Sequence, residues 1–249
     1  MTASLANSLF WLLASLVLFL LAQRWLHQQI QLLFYLLTRR LNLALSLFAI
    51  LFLPGVLLHE SSHFVVARLL GVRTRRFSLI PQVTVDGRLR LGYVETAQAD
   101  VFRDTLIGAA PLLFGGAAVA YLGISQLGIT PLFDLASQGS WSQLWAAVAA
   151  LPGHPDFWLW FYLAFTISSM MLPSPADRRA WLPVILVLLV IAILAFVAGA
   201  GPWMVQNIAP WLERILRAVA TVFGIGLVIH FVLVVPVTFL RVVIGSLGK

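Results

Sequence analysis

Long apolar runs alternate with short polar segments along this chain of 249 residues. A helix needs about 20 predominantly apolar residues to cross the hydrocarbon core of a bilayer. Runs of about this length, the fourth somewhat shorter, occupy residues 5–22, 41–70, 105–124, 157–172, 181–198 and 219–240. The pattern predicts an all-α polytopic membrane protein with about six transmembrane helices. The first run resumes at residues 32–37 after a polar break, so one long tilted helix and a span followed by an interfacial piece both fit it.

Residues 71–103 are the extended polar part of the sequence that has strand character. Within them, residues 83–91 form two alternating apolar and polar runs around Asp86-Gly87, and an Asp-Gly pair between such runs is a strong signal for a β-hairpin. The sequence therefore predicts a small membrane-associated hairpin after the second span. Residues 125–156 form another polar connection, with a short helix expected near residues 141–151.

Composition agrees with a membrane protein, because 61% of the residues are hydrophobic and 10% are charged, against about 25% charged in soluble domains. The formal charge of +7 does not indicate a nucleic-acid partner, since the basic residues flank apolar runs instead of gathering on a polar domain. The chain has no cysteine, which excludes disulfides and thiolate metal ligands. Any metal ion must be held by histidine and carboxylate.

The basic residues also predict an orientation in the membrane, because cytoplasmic loops carry an excess of lysine and arginine. If the second span ends in the cytoplasm, 11 of the 16 basic residues fall on that side, and residues 125–156 on the other side contain none. We therefore expect a multi-pass protein of a bacterial-type cell membrane whose functional site faces the cytoplasm. The 11 residues are Arg68, Arg73, Arg75, Arg76, Arg88, Arg90, Arg103, Arg178, Arg179, Arg241 and Lys249.

The second span carries two histidines and a glutamate in the segment His59-Glu60-Ser61-Ser62-His63. Residues four apart project from the same face of a helix, so both imidazoles can reach one Zn²⁺ at about 2.0–2.1 Å. Glu60, beside the first ligand, is placed to accept a proton from a water on the metal. A charged group at a helix centre in a membrane costs roughly 2.5–3.5 kcal/mol. Three ionisable side chains there indicate a compensating partner, and a metal ion is the simplest one.

Two proline-containing breaks flank this motif in the predicted topology. Pro54 lies about one turn before His59, where it favours a kink that lets water approach the metal. The segment 173–179 contains two prolines, which should unwind the end of the fourth span because proline disfavours helix at the residue before it. Irregular backbone at membrane depth is tolerated where it lines a protein cavity.

A catalytic zinc takes three protein ligands and leaves one position open, so the motif needs a third ligand from elsewhere in the chain. We favour Asp177, because it follows the proline-broken helix end that the topology puts at the same membrane face as the two histidines. The other candidates are His230 within the membrane and, at the predicted cytoplasmic surface, Glu95, Asp100 and Asp104.

The sequence around the motif resembles the site-2 protease family of intramembrane zinc metalloproteases. The resemblance covers about residues 45–180 and is most specific over residues 57–78, where His59-Glu60-x-x-His63 is followed by Val-Ala-Arg-Leu-Leu-Gly-Val-Arg at 66–73 and Arg-Phe-Ser at 76–78. Residues 108–111, Gly-Ala-Ala-Pro, resemble a Gly-Pro-containing helix of the family. In that family a β-hairpin region follows the motif helix, and a later Asn-x-x-Pro-x-x-x-x-Asp-Gly segment supplies the third zinc ligand, which corresponds here to Asp177.

This chain departs from the family pattern at three places near that aspartate. Pro173 and Asp177 are one residue closer together than the family spacing, and Arg178 replaces the glycine that follows the aspartate. Ser168 or Ser169 stands where the family has an asparagine.

The resemblance implies hydrolysis of a peptide bond in or near a transmembrane segment of a membrane-protein substrate. It implies that His59, His63 and Asp177 bind zinc, that Glu60 is the catalytic acid–base residue, and that the substrate and the lipid bilayer are the partners. The organisation expected is a single domain over residues 1–249, with an N-terminal helical segment at 1–40, a catalytic core at 41–180 and C-terminal helices at 181–249. The hairpin at residues 83–91 is a candidate for holding an unwound substrate segment by strand addition.

Other functions fit parts of the same sequence. A proteolytically inactive membrane protein of this fold would act as a binding or scaffold module. A metal transporter or sensor would need further ligands along a path, which the few intramembrane carboxylates and the lack of cysteine oppose. A metalloprotease of a different family would keep the zinc and lose the role of Asp177. For His230, both a bond to a neighbouring helix and contact with a developing oxyanion fit its position, whereas His27 is predicted to be interfacial.

Overall fold

The computed structural model describes residues 2–83 and 89–247 of the chain, and these residues form a largely helical bundle. Within this described part, four helices or helix runs are long and apolar enough to cross a membrane, and a bent helix pair brings the number to five. The four are Ser4–Thr38, Val101–Gln126, Trp181–Asn207 and Ala209–Leu247. These helices confirm the membrane-type fold. The fourth predicted span corresponds to the apolar helix Phe157–Met170, whose 14 residues fall short of a full crossing, so a count of six stays a prediction.

The first and last helices form the longest contact in the bundle. Helix α1 (Thr2–Thr38) is continuous, which decides between the two forms that the sequence allowed for the N-terminal segment. It packs along α10 (Ala209–Leu247), where the buried ring of Phe19 lies against Phe223 and Gly226 of α10. Burial of such side chains contributes about 1.5–3 kcal/mol each relative to exposure in water. This value does not apply in a membrane, because the lipid around the helices is also apolar. There, van der Waals packing between helices stabilises the contact.

The second predicted span is a bent pair of helices. Helices α2 (Leu41–Leu51) and α3 (Leu53–Leu69) meet at Phe52 with a bend of 66°. Pro54 stands in the first turn of α3, where its missing N–H takes no helix bond away. The predicted break before His59 is therefore confirmed, and it allows α3 to run in its own direction toward the centre of the bundle.

Four short strands follow α3 and precede α4 (Val101–Tyr121, continued by a π-helical turn at Leu122–Gln126). Strand β1 (Thr74–Ser78) pairs antiparallel with β4 (Tyr93–Thr96), and β2 (Gln82–Val83) pairs antiparallel with β3 (Leu89–Arg90). The predicted hairpin is thus present as the β2–β3 pair, although its turn at residues 84–88 lies outside the described residues. The β1–β4 pair, which encloses this hairpin in sequence, was not predicted.

The remaining helices complete the bundle. A helix was predicted near residues 141–151, and α6 (Trp141–Ala150) lies there, after α5 (Thr130–Ser137). Helix α7 (Phe157–Met170) ends before the turns of residues 171–180, as the prolines predicted. Helix α8 (Trp181–Ala195) and its π-helical continuation Phe196–Ala200 lie on the outside, and α9 (Gly201–Asn207) leads into α10. Among these, α7 lies against both α3 and α4, and this contact positions the site.

Candidate metal centre

His59 and His63 occupy successive turns on one face of α3, as their spacing predicted. Their Nε2 atoms lie 3.2 Å apart, and their rings are inclined at 78° with centroids 4.9 Å apart. His63 is buried, and 14% of the His59 side chain is accessible. The pair therefore presents two ring nitrogens to one point inside the bundle.

The other nitrogen of each imidazole is bonded to a backbone carbonyl. His59 Nδ1 lies 2.6 Å from the Met170 carbonyl oxygen, and His63 Nδ1 lies 2.8 Å from the Ile107 carbonyl oxygen. Because a carbonyl oxygen only accepts, both neutral imidazoles carry their proton on Nδ1 and leave Nε2 as a bare lone pair. Ligating histidines in metal sites are held in this way, with the second ring nitrogen donating to an outer partner.

A proline in α4 explains why the Ile107 carbonyl is free to accept the bond from His63. In a helix the carbonyl of residue i accepts the N–H of residue i+4, and the residue four after Ile107 is Pro111. Proline has no backbone N–H, so this helix cannot pair the Ile107 carbonyl in the ordinary way. The His63 ring supplies the missing donor from the neighbouring helix.

Asp177 brings a carboxylate to the two histidines from the turns after α7. Its Oδ1 lies 3.4 Å from His63 Nε2, and its Oδ2 lies 3.8 Å from His59 Nε2. The backbone N–H of Ser174 donates to Asp177 Oδ2 at 2.7 Å, which holds the carboxylate in this turn. Burial by itself raises the pKa of the Asp177 carboxyl, but in the metal-free site His63 in its protonated form and the hydrogen bonds from Ser174 outweigh it and lower the pKa to about 2.

Close helix packing sets the position of this turn. A Cβ atom on Gly108 of α4 would lie 2.0 Å from the Asp177 carbonyl oxygen, and one on Gly55 of α3 would lie 2.1 Å from the Thr166 carbonyl oxygen. Real Cβ atoms do not come this close to backbone, so both positions require glycine. Gly108 lets α4 contact the backbone at Asp177, and Gly55 lets α3 contact the backbone of α7 at Thr166.

The three side chains form a group that could hold a metal ion. One ligand atom from each of His59, His63 and Asp177 lies within 4.8 Å of the others. Two bare Nε2 lone pairs 3.2 Å apart repel each other unless a cation lies between them, and an ionised carboxylate completes a site of N and O donors. In four-coordinate zinc sites with bonds of about 2.0–2.1 Å, the ligand atoms lie about 3.3 Å apart. The distances of 3.2 Å between the two Nε2 atoms and 3.4 Å between His63 Nε2 and Asp177 Oδ1 are close to this value.

Glu60 lines the same cavity as these ligands. The cavity has a volume of about 590 Å³, and Glu60 is buried in its wall next to His59. Gly92 faces this carboxylate closely, because a Cβ atom there would lie 3.0 Å from Glu60 Cγ. The glutamate therefore stands beside the three candidate ligands, where the motif predicted it.

The other candidate third ligands lie in different surroundings. Glu95 and Asp104 line the cavity but do not belong to the three-residue group found among the described residues. Asp100 caps α4 by accepting the N–H groups of Phe102 and Arg103 at 3.1 and 3.0 Å. His230 is fully buried and bonds to Ser169 of α7 at 2.9 Å, which fits the neighbouring-helix interpretation.

One wall of the cavity is the segment of chain that contains β4. Residues 92–98 line it without interruption, while β4 pairs with β1 along its length. Among the described residues, the strand bordering the cavity is thus the one after the predicted hairpin. The hypothesis of strand addition at residues 83–91 stays untested there, because their turn lies outside the described residues.

Sequence reasoning missed the groups that orient the histidines. The carbonyls of Ile107 and Met170 carry no side-chain signal, although Pro111 indicates that the first of them lacks its helix partner. Ser174 could have been found from its place in Pro-Ser-Pro-Ala-Asp, since serine often closes a short turn with a nearby backbone group. His27 was predicted to be interfacial; its ring packs at 4.8 Å from Phe52 and its Nε2 is buried, while its depth in the membrane stays a prediction.

Comparison of the chain with protein-family models, with curated proteins and with solved structures finds no match. The candidate centre therefore has to be interpreted from its own geometry.

Proposed function

We propose that this protein is an intramembrane zinc metalloprotease, similar to the site-2 proteases, that cleaves a peptide bond in or near a transmembrane segment of its substrate. The observation that carries the proposal is the arrangement of His59, His63 and Asp177 around one point, with Glu60 in the wall of the same cavity. The sequence predicted His59, His63 and Asp177 as metal ligands and Glu60 as the catalytic acid–base residue, and this geometry is compatible with those roles.

Zinc is the metal that this donor set favours. Two imidazoles and one carboxylate are a known ligand set of catalytic zinc, which keeps a fourth position open. The same set also binds iron in octahedral sites, where ligands at right angles would lie only about 3.0 Å apart. Metal analysis of the purified protein distinguishes zinc from iron at this site.

Each residue of the site has its own role in the proposed reaction. When bound, zinc polarises the scissile carbonyl and makes water a nucleophile near neutral pH. Glu60 accepts the proton of the attacking water and delivers it to the leaving amine. The carbonyls of Met170 and Ile107 keep His59 and His63 in the tautomer that leaves Nε2 free for the metal.

The surroundings of the cavity favour a membrane-protein substrate. The motif helix belongs to a bent span, so a peptide reaching Glu60 is close to or within the membrane. A helical substrate hides its carbonyls in its own hydrogen bonds and has to unwind before attack. Residues 92–98 offer a strand beside the cavity, and addition of the unwound segment to β4 would hold it in extended form.

The location of the protein follows from the same proposal. We infer that the end of α3 and the turns at 171–180 face the cytoplasm, because Arg68, Arg178 and Arg179 lie there, and a bacterial-type cell membrane is the location we propose. Lipid is a partner through the apolar outer helices, of which α8 has no buried residue.

The test uses the protein in proteoliposomes with membrane proteins from source cells that lack this chain. Wild type and Glu60→Gln are loaded with zinc, and new N-termini are labelled and identified by mass spectrometry. We expect termini in or near transmembrane segments with wild type and their loss with Glu60→Gln. Glu213→Gln, the same change far from the cavity, is the matched control and should cleave like wild type.

Two results would redirect the proposal. If wild type and Glu60→Gln give the same set of termini, the protein is not a metalloprotease that uses this glutamate. If neither cleaves and both capture the same membrane proteins, the scaffold alternative is supported, because binding then does not depend on the catalytic carboxylate.

A further inference from the structure

A second group of three polar side chains lies next to the metal centre, and two of the three are buried. We call it the His230 cluster, and its members are Gln23 of α1, Ser169 of α7 and His230 of α10. His230 is 0% exposed and Ser169 is 3% exposed. The rings of Phe19 and Phe165 lie 5.1 and 5.3 Å from the His230 ring. In such apolar surroundings hydrogen bonds are strong and their loss is costly.

The directions of the hydrogen bonds in the His230 cluster follow from the groups involved. His230 Nδ1 lies 2.7 Å from the Gly226 carbonyl oxygen, so Nδ1 carries the proton. His230 Nε2 is then an acceptor, and the Ser169 hydroxyl donates to it at 2.9 Å. Gln23 Nε2 donates to the Ser169 carbonyl oxygen at 2.5 Å. Ser169 is thus held by its side chain from one helix and by its backbone from another.

This cluster acts on the end of α7, which is also the end that touches the metal centre. The last carbonyls of a helix have no partner within it, and α7 ends at Met170. Pro173, four residues after Ser169, lacks the N–H that would otherwise reach the Ser169 carbonyl. The next residue along, Met170, accepts the Nδ1–H of His59. The terminus is therefore fixed by Gln23 and His230 on one side and bonded to a candidate ligand on the other.

We propose that His230 is a positioning residue of the metal centre. Through Ser169 it holds the end of α7 so that the Met170 carbonyl receives the proton of His59 Nδ1, which leaves His59 Nε2 free for the metal. His230 is absent from the described lining of the cavity, so it acts through the helix end and touches no reacting group. The inference rests on the metal-binding part of the proposed function and does not require proteolysis.

Loss of outer hydrogen-bond partners of ligating histidines typically costs 10–100-fold in metal affinity. His230 acts on His59 through Ser169 and the end of α7, so we expect its removal to lower the metal affinity by about tenfold, at the lower end of that range. A purely structural role predicts something different: a lower unfolding temperature with unchanged metal affinity and unchanged metal geometry.

The test compares variants of the full-length protein in detergent. Ser169→Ala removes the hydroxyl that His230 holds, His230→Phe removes the imidazole, and His230→Gln restores an acceptor and a donor. Ser168→Ala is the matched control, since within the described part of the chain the Ser168 hydroxyl bonds to its own helix, at the Phe165 carbonyl 3.1 Å away. The readouts are zinc affinity by chelator competition, the visible spectrum of the Co²⁺-substituted protein, and thermal unfolding without metal.

We expect Ser169→Ala and His230→Phe to lower zinc affinity about tenfold and to shift the cobalt absorption bands. His230→Gln should regain most of the affinity, and Ser168→Ala should match wild type. If His230→Phe does not fold, Ser169→Ala decides the result. Unchanged affinity and an unchanged cobalt spectrum in Ser169→Ala would overturn the inference while leaving the metal centre intact. A wild-type protein that binds neither zinc nor cobalt would overturn the metal centre and this inference together.

Discussion

The Nε2 atoms of His59 and His63 face each other at 3.2 Å, and in their neutral forms neither has a proton to share. Each ring donates from Nδ1 to a carbonyl of a different helix, so α4 and α7 both fix the tautomers. Two acceptors at this distance repel each other, and a cation between them removes the repulsion. The pair could therefore hold a metal ion between its two Nε2 atoms.

The first prediction concerns metal content and stability. We expect about one zinc per chain in wild type and in Glu60→Gln, and a loss of affinity above about 100-fold in His59→Ala, since a direct ligand matters more than an outer partner. Zinc at 100 times its dissociation constant should stabilise the folded protein by about 2.7 kcal/mol. Chelator should therefore lower the thermal unfolding temperature of wild type and leave that of His59→Ala unchanged, as measured by scanning fluorimetry and metal analysis.

Asp177→Ala completes that measurement. Removal of the carboxylate should weaken zinc binding while both histidines remain. A full complement of tightly bound zinc in Asp177→Ala would place the third ligand elsewhere, and Glu95 and Asp104 would then be tested next because they line the cavity.

The second prediction concerns Pro111 and the carbonyl that it frees. In Pro111→Ala the new backbone N–H of residue 111 can bond to the Ile107 carbonyl, which then competes with the His63 ring. We expect zinc affinity to fall about tenfold, although alanine is a far better helix former than proline. The metal-free protein should therefore not lose stability in parallel, and chelator competition together with thermal unfolding separates the two effects. Equal zinc affinity in Pro111→Ala and wild type would contradict this account of the carbonyl.

The third prediction concerns the contact between α4 and the Asp177 turn. Gly108→Ala places a Cβ 2.0 Å from the Asp177 carbonyl oxygen, which must push the turn away. Overpacking of this kind costs about 1–3 kcal/mol, and here it also displaces a candidate ligand. Gly116→Ala is the matched control on the same helix, because its Cβ would meet Val222 at 3.7 Å, an ordinary contact. We expect weaker zinc binding and lower stability in the first variant alone, and equal effects in both would argue against the turn as a tightly packed ligand support.

The parts of this molecule that sequence could predict are those that depend on local periodicity. His59 and His63 share a face because a helix repeats every 3.6 residues. Pro54 predicted the bend near Phe52 because proline interrupts a helix. The position of Asp177 followed from topology, since the prolines at 173 and 175 had to end α7 on the side where α3 ends. These inferences needed only the chain itself.

The parts that sequence could not predict depend on contacts between distant helices. His230 reads as an isolated polar residue in an apolar helix, and only the packing of α10 against α7 assigns its bond to Ser169. The packing of His27 against Phe52 could not be predicted for the same reason, because it arises from the contact between α1 and the end of α2. Every residue has a backbone carbonyl, so the sequence does not show that the Met170 carbonyl accepts a bond from a distant histidine.

The fourth prediction concerns pH and the N-terminus of α4. The Asp100 carboxylate accepts the backbone N–H groups of Arg103 and Phe102, and the bond from Arg103 above all lowers the pKa of Asp100 below its ordinary value of 3.8. A group with a lowered folded pKa stabilises the fold above the unfolded pKa and loses that contribution as pH falls through the folded pKa. Asp100→Ala should therefore unfold at a lower temperature than wild type at pH 7, and the difference should shrink as pH falls below 3.8.

Asp100→Asn is the control for this pH effect. Asparagine caps helices about as well as aspartate and does not titrate, so this variant should keep its advantage over Asp100→Ala in acid. A difference between wild type and Asp100→Ala that grows in acid would contradict the capping role.

The fifth prediction concerns sidedness, and the lack of cysteine in the chain makes it directly measurable. Gln98→Cys and Ala176→Cys introduce exposed thiols at the rim of the cavity without changing any charge, and Gln138→Cys and Ser142→Cys do so in the connection between α4 and α7. Because basic residues mark the cytoplasmic side, a membrane-impermeant maleimide should label the second pair in intact cells. It should label the first pair only after the membrane is opened. Labelling of Gln98→Cys and Ala176→Cys from outside intact cells would reverse the orientation and put the metal centre on the other face of the membrane.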